Sequence, residues 1–294
     1  MPGVLANHSD DPQVRHSVQR ALTRRYIGRD GVTRAETLQR DDGSTIAYDV
    51  AGHGPLVVFV HGLTSFRQTW DPVTAPLAEE FTCVRLDLRG HGASSRTAEY
   101  SMVSLVGDVR AVVEEVALGE PAIVGHSLGA SVAAVYAAAH DARAVVCVDQ
   151  LLRFGEFAEL VQAHADDLRS QRTMEAVLSI DHALKLEPYT GLQDIERRVL
   201  AFPREVVLGI WDALLSTPPE QLTAIAEAIL PRIAAPLLSL HGSPPAPDYA
   251  AWLTGLTRSA RVEIWDGTGH MLHLVVPEQL VARVRPLLAD PPEH

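Results

Sequence analysis

The chain is predicted to be an α/β protein built on a mostly parallel, doubly wound sheet of about eight strands, with an inserted helical cap. Three observations carry this. Short apolar runs alternate with helical stretches from about residue 35 to 150, the alternation gives way to an almost wholly helical pattern over 151–231, and strand character then resumes. The expected parts are an amino-terminal extension (1–34), a first core part (35–150), the cap (151–231) and a second core part (232–294).

In chain order, the extension is polar and carries Arg15, Arg20, Arg24, Arg25, Arg29 and Arg34. Its stretch from Val14 to Tyr26 has helical character, and a peripheral position is expected, with a homodimer contact left open. Glu36 to Gln39 and Thr45 to Val50 read as a hairpin turning at Asp42-Gly43. Leu56 to Val60, Thr82 to Leu86, Ala122 to Val124 and Ala144 to Val148 are near-continuous apolar runs, as suits parallel strands covered on both faces. Between them Ser104 to Leu118 and Leu128 to His140 read as helices, which makes the connections βαβ crossovers. Pro188, Pro203 and Pro218-Pro219 punctuate the cap. Pro236 to Leu240 and Arg261 to Trp265 restore the sheet, and a closing helix starts with proline in its first turn, from Pro277 to Leu288.

Composition narrows the partners. With 294 residues, 47% of them hydrophobic, the chain can bury a large core, and its net charge of −12 argues against nucleic acid and anionic membrane surfaces. Met1 to Asp11 has no apolar stretch of signal-peptide length, so a cytoplasmic location is the expectation. Cys83 and Cys147 each lie in an apolar strand and read as reduced core residues.

The most informative segment is Gly125-His126-Ser127-Leu128-Gly129. An apolar strand precedes it and an alanine-rich helix follows, the strand–turn–helix context in which a serine is held exposed on a sharp turn. A serine hydroxyl is a weak nucleophile at neutral pH and needs a base, usually a histidine oriented by a third group. His270, in the loop Asp266-Gly267-Thr268-Gly269-His270 after the last strand, is the candidate base; His273 is the competing histidine, read as a partly buried structural one in the following turn.

Further motifs stand at strand ends: His61-Gly62-Leu63, Asp87-Leu88-Arg89-Gly90-His91-Gly92-Ala93-Ser94, and His273-Leu274 with Pro277-Glu278 after Gly269-His270. With these in their order, residues 36–288 resemble the α/β-hydrolase superfamily, as a serine-nucleophile member with a helical cap. The resemblance implies backbone shaping or local hydrogen bonds for His61, His91 and His126, a bracing role for Asp87 to Ser94, and an oxyanion hole formed by the N–H groups of Leu63 and Leu128. None of these histidines has metal-ligand spacing, and neither a cofactor nor a metal is expected.

One part of the pattern departs from the family. Its acid usually follows the strand after the cap, in a Gly-x-x-Asp arrangement, whereas here Gly242-Ser243-Pro244-Pro245 places proline there. Two carboxylates remain as candidates. Asp149, at the end of the strand Ala144 to Val148, matches the place used by members such as haloalkane dehalogenases and is favoured because a sheet fixes its position; Asp248, in a proline-rich loop, is the alternative acid or else a helix N-cap.

Leu151, Leu152, Phe154, Phe157, Leu160, Tyr189, Phe202, Trp211 and Leu214 give the cap apolar bulk, and Phe154, Phe157 and Trp211 are the candidate substrate contacts. The expected activity is cleavage of a small to mid-sized hydrophobic carboxylic ester or lactone through an acyl-enzyme. A lyase or cofactor-free cyclase on the same residues, and a ligand-binding receptor, stay open as alternatives, since fold does not fix reaction. By the same resemblance, serine at position 127 argues against dehalogenase and epoxide hydrolase chemistry, whose members carry aspartate there.

Overall fold

A computed structural model describes residues 33–185 and 192–289. The segment Val14 to Tyr26, the arginines before Arg34, Pro188 and Tyr189 lie outside the described residues. An eight-stranded sheet has the order β1-β2-β4-β3-β5-β6-β7-β8, with β1 (Arg34–Gln39), β2 (Thr45–Gly52), β3 (Leu56–Val60), β4 (Thr82–Leu86), β5 (Ala122–His126), β6 (Ala144–Val148), β7 (Leu237–His241) and β8 (Ala260–Ile264). The first hairpin pairs antiparallel, as does β2 with β4, and all later pairings are parallel.

The buried strands β3 to β7 have apolar side chains on both faces because helices cover both. On one side α2 (Met102–Val116), α3 (Leu128–Ala139) and α10 (Tyr249–Leu256) contribute Leu105, Val132 and Leu253 to a core with Val58, Ile123 and Val145. On the other, α1 (Asp71–Leu77) and α11 (Pro277–Ala289) pack Val73, Leu77, Leu280 and Val284 against Phe59, Val124 and Val146. Cys83 and Cys147 are buried, unpaired thiols whose burial raises both to about 12. No helix among the described residues is long and apolar enough to cross a membrane.

Between β6 and β7 the described residues form α4 (Phe154–Ala163), α5 (Ala165–Arg169), α6 (Thr173–Ala183), α7 (Leu192–Ala201), α8 (Arg204–Ser216) and α9 (Pro219–Ile229). Pro203 immediately precedes α8 and Pro219 opens α9, positions whose N–H would have no acceptor within the helix. Val161, Leu168, Val177, Ile180, Val207 and Trp211 form the inserted segment's own apolar cluster, which also takes in Met271 from the carboxyl edge of the sheet.

The sheet register lines up the carboxyl ends of the strands. His126 stands beside Val148, Val148 beside Leu240, and His241 beside Ile264, so the loops that follow β5, β6, β7 and β8 emerge side by side. β3 sends its neighbours in both directions, β4 on one side and β5 on the other, and such a switch point opens a crevice at this edge.

A buried ion pair ties the loop after β4 to α2. Arg89 bonds Asp108 through Nε at 2.6 Å and a terminal nitrogen at 2.7 Å, and both side chains are almost wholly inaccessible. Replacing one partner strands a buried charge. Asp108→Ala should cost about 3 kcal/mol in urea unfolding, with exposed Asp42 and Glu99 still approaching Arg89. Glu114→Ala, which removes only an exposed pair with Arg110 on the same helix, should cost under about 0.5 kcal/mol; equal losses would refute the assignment of that difference to burial.

Candidate active site

Ser127 sits at φ 50°, ψ −120°, a backbone conformation that side chains disfavour, between the end of β5 and the first residue of α3. Two glycines make that turn possible. A Cβ on Gly125 would lie 2.0 Å from the Gly129 carbonyl oxygen, and one on Gly129 would lie 2.2 Å from that of Val60. The Ser127 N–H donates to Val148 O at 2.9 Å, which continues the β5–β6 ladder into the turn.

Asp149 follows β6 and also has positive φ, 49°; its N–H donates to Leu240 O at 2.7 Å. Its carboxylate is shared. Oδ2 lies 2.6 Å from His270 Nδ1, and Oδ1 accepts the Gly242 N–H at 2.7 Å. Because an ionised carboxylate only accepts, Nδ1 carries the imidazole proton and Nε2 is left as the basic nitrogen. The His270 loop is held from three directions: the His270 N–H donates to Lys185 O at 3.0 Å, the Gly269 N–H donates to Gly242 O at 3.1 Å, and His126 Nε2–H donates to His270 O at 2.9 Å.

Ser127 and His270 both line a cavity of about 790 Å³ between the carboxyl edge of the sheet and the inserted helices. Phe154, Phe157 and Trp211 line it as well, with the Phe157 and Trp211 rings edge to face at 6.0 Å. So do Leu63 and Leu128. Leu128 opens α3, where a helix has no internal acceptor for its first N–H groups.

Residues 57–284 match a family described as the alpha/beta hydrolase family. The chain belongs to this family. Among curated relatives, a 2-(acetamidomethylene)succinate hydrolase of Mesorhizobium japonicum is 36% identical over 33% of this chain and 36% of its own. A bifunctional biotin biosynthesis protein of Cellvibrio japonicus is 27% identical over 79% of this chain and 47% of its own. The chain thus spans less than half the length of these relatives. A solved structure of a putative aryl esterase from Burkholderia cenocepacia superposes with a TM-score of 0.71 at 23% identity, over 86% of this chain and 97% of that one, which is a likeness of fold.

Within this family fold, the two candidate acids are in different places. Asp149, one residue past the end of β6, meets His270, whereas Asp248 is exposed and holds Arg153 at 3.1 and 3.4 Å, which lowers its pKa. Nor does Asp248 cap α10. Its backbone is already helical and its side chain makes no cap bond. Other expected cap residues also divide: Leu214 reaches the cavity, Leu152 is buried in the core below, and Phe202 stacks on His91 at 4.8 Å.

Sequence reading did not single out the Gly242 N–H, the Lys185 carbonyl, or Tyr100 and Met102, which join the cavity wall from outside the inserted segment. Gly242 carried a signal: a Cβ there would lie 1.9 Å from Gly269 O, so only glycine lets the loops after β7 and β8 touch. The other contacts depend on backbone atoms or distant segments, which residue type does not report.

The remaining motif residues brace this edge. His61 Nε2 accepts the Leu88 N–H at 3.0 Å, so its proton is on Nδ1, which donates to Gly62 O at 2.7 Å. Asp87 accepts from the N–H groups of Arg67 and Ala93 at 2.7 and 2.9 Å and pairs with the Arg67 guanidinium. Behind His270, the tilted rings of His126 and His273 pack at 4.3 Å and those of His273 and Trp70 at 4.8 Å. Burial lowers His61 to about 4, His91 and His273 to about 3, and His126 well below its ordinary range.

These depressed values set an acid limit. Below the ordinary histidine value of 6.5 the unfolded chain binds protons that the folded chain refuses until about pH 4 or 3, so stability falls as pH falls through that window. His273 has neither ring nitrogen bonded among the described residues. His273→Leu should therefore keep near-normal stability at pH 7.5 and lose less on acidification, by on the order of 2 kcal/mol at pH 5. Chemical denaturation at both pH values checks this, and an unchanged pH dependence would contradict it.

Proposed function

We propose that the chain is a serine hydrolase that cleaves small to mid-sized hydrophobic carboxylic esters or lactones, with Ser127 as nucleophile, His270 as base and acid, and Asp149 orienting it. The observation that carries this reading is the 2.6 Å contact between Asp149 and His270 Nδ1, made at the wall of the cavity that Ser127 also lines.

In this reading His270 Nε2 takes the Ser127 proton as Oγ attacks the ester carbonyl. The negative oxygen that forms would be met by the N–H groups of Leu63 and Leu128, two residues that line the cavity with Ser127, and loss of one such donor typically costs about 10²- to 10³-fold in rate. Collapse of the tetrahedral adduct breaks the bond to the leaving oxygen, which receives the proton from His270 Nε2. A water molecule then gives its proton to the same nitrogen and attacks the acyl-enzyme, which releases the acid and restores Ser127.

Asp149 supports this in two ways. It holds the imidazole in the tautomer that exposes Nε2 and it stabilises the imidazolium that forms. The Gly242 N–H in turn fixes the carboxylate. The inserted helices serve as the cap in this reading, their apolar cover favouring hydrophobic substrates over long polar polymers.

The test pairs labelling with turnover. The protein should be labelled at Ser127 by a fluorophosphonate and should hydrolyse short activated 4-nitrophenyl esters; absence of both would overturn the proposal. Asp149→Asn should lower kcat by about 10³- to 10⁴-fold, as loss of the orienting carboxylate does elsewhere. Asp248→Asn should stay within about twofold of the parent. The reverse pattern would transfer the acid's role to Asp248.

A further inference from the structure

Apolar side chains make up most of the cavity wall, beside polar residues that include Thr64, Ser65, Glu99, Ser101 and Asp212; two further uncharged polar residues of the wall, Ser131 and Gln150, lie on the segments that follow Ser127 and Asp149. Ser131 lies on α3, with its N–H donating to Ser127 O at 3.2 Å, so it stands one helical turn beyond the candidate nucleophile on the same helix face. Gln150 directly follows Asp149. Both side chains line the cavity although each residue is only 7% exposed.

Their hydrogen-bonding capacity is incompletely used. The Gln150 amide nitrogen donates to Leu151 O at 3.0 Å, which fixes its orientation and leaves its oxygen without a bond among the described residues. The Ser131 hydroxyl likewise has no bond among them. Beside wall groups such as Val135, Phe154 and Ile229, a polar atom left unmatched under a bound ligand costs free energy that alanine or leucine would avoid. Asp181 and Arg198, which also reach the cavity, have partners of their own.

The segments that carry the two groups are neighbours. The contact of Cys147 Sγ with Ala130 O at 3.5 Å shows how closely the end of β6 approaches the start of α3, the two segments that carry Gln150 and Ser131. A serine hydroxyl donates or accepts, whereas the Gln150 oxygen only accepts. Their natural complement is a group that accepts and donates at one atom, namely a hydroxyl.

Resting on the hydrolase reading above, we propose that Ser131 and Gln150 form a polar subsite that selects hydroxylated acyl esters, with the substrate hydroxyl donating to Gln150 Oε1 and accepting from Ser131 Oγ. Four residues of helix advance about 6 Å. A hydroxyl on the third acyl carbon spans about 3–4 Å from the reacting carbonyl, and an O–H···O bond adds about 2.8 Å. The 3-hydroxyacyl esters therefore fit the spacing. Discrimination should be pronounced, because a bound deoxy analogue would cover both protein groups without matching them.

The experiment compares 4-nitrophenyl hexanoate with its 3-hydroxy and 3-methoxy counterparts. Wild type should favour the hydroxy ester by about tenfold or more in kcat/KM, with the methoxy ester, which accepts but cannot donate, falling between. Ser131→Ala and Gln150→Leu should each bring the hydroxy-to-hexanoate ratio close to one. A wild-type ratio near one, or a ratio that neither substitution moves, overturns the subsite. Binding of 3-hydroxyhexanoate and hexanoate to Ser127→Ala, measured by calorimetry, separates the two readings. Tighter binding of the hydroxy acid, lost on adding Ser131→Ala, upholds the subsite even where wild type is neither labelled nor active, an outcome that would sink the hydrolase reading alone; equal binding of the two acids counts against the subsite.

Discussion

The arrangement at the carboxyl edge turns on one carboxylate that serves two loops at once. Asp149 offers Oδ2 to the His270 imidazole at 2.6 Å and Oδ1 to the Gly242 N–H at 2.7 Å, and it does so from a residue whose own N–H is bonded to β7. Each of these bonds is charge-assisted or continues the sheet, so the carboxylate has little freedom to rotate away. The loop after β8 is then closed onto the same point by the Gly269–Gly242 backbone bond and onto the elbow by the His126–His270 bond. These loops gain their precision from the strand ends they leave, which are aligned by a continuous parallel register.

Such an edge is costly to build. Two non-glycine residues at positive φ, Ser127 and Asp149, stand on adjacent strands, and a row of imidazoles is buried neutral behind them. The stabilisation that offsets this comes from elsewhere: apolar layers on both faces of the sheet and the buried Arg89–Asp108 and Arg67–Asp87 pairs that hold the loops after β4 and β3. Strain at the site and packing beneath it are thus two sides of one balance.

Much of this was legible from residue types because the local rules agree. The run Pro121 to Ala139 shows a strand, a glycine-flanked turn and a helix former series, and the structure has β5, the strained Ser127 and α3 there. The absence of an acid after Gly242 also pointed to the end of β6, where the structure brings Asp149 to His270. Less legible was what depends on backbone atoms. Gly242 looked like the remnant of a missing acid, yet its N–H bonds the carboxylate that is present, and its lack of a side chain admits the Gly269 loop. The helix bounds shifted by a residue or two, with α2 starting at Met102 rather than Ser104, because Ser101 accepts the Ser104 N–H as an N-cap and so begins the helix earlier than hydrophobic periodicity suggests.

Placing the carboxylate at the end of β6 has a topological consequence, because the inserted helices begin shortly after Asp149, at Phe154. Arg153, at that entrance, bonds Glu156 of α4 at 2.6 Å and Asp248 before α10, and its guanidinium lies 4.8 Å from the centre of the Trp252 ring. At the other side of the pair, Lys185 of the inserted segment accepts the His270 N–H. The insertion therefore grips the carboxylate–imidazole pair from both ends, through Asp149 by covalent continuity and through His270 by a backbone bond. An acid placed after β7 would leave only the second of these links. With Asp149 following β6, the inserted segment and the loops after β7 and β8 are all tied to one carboxylate–imidazole contact.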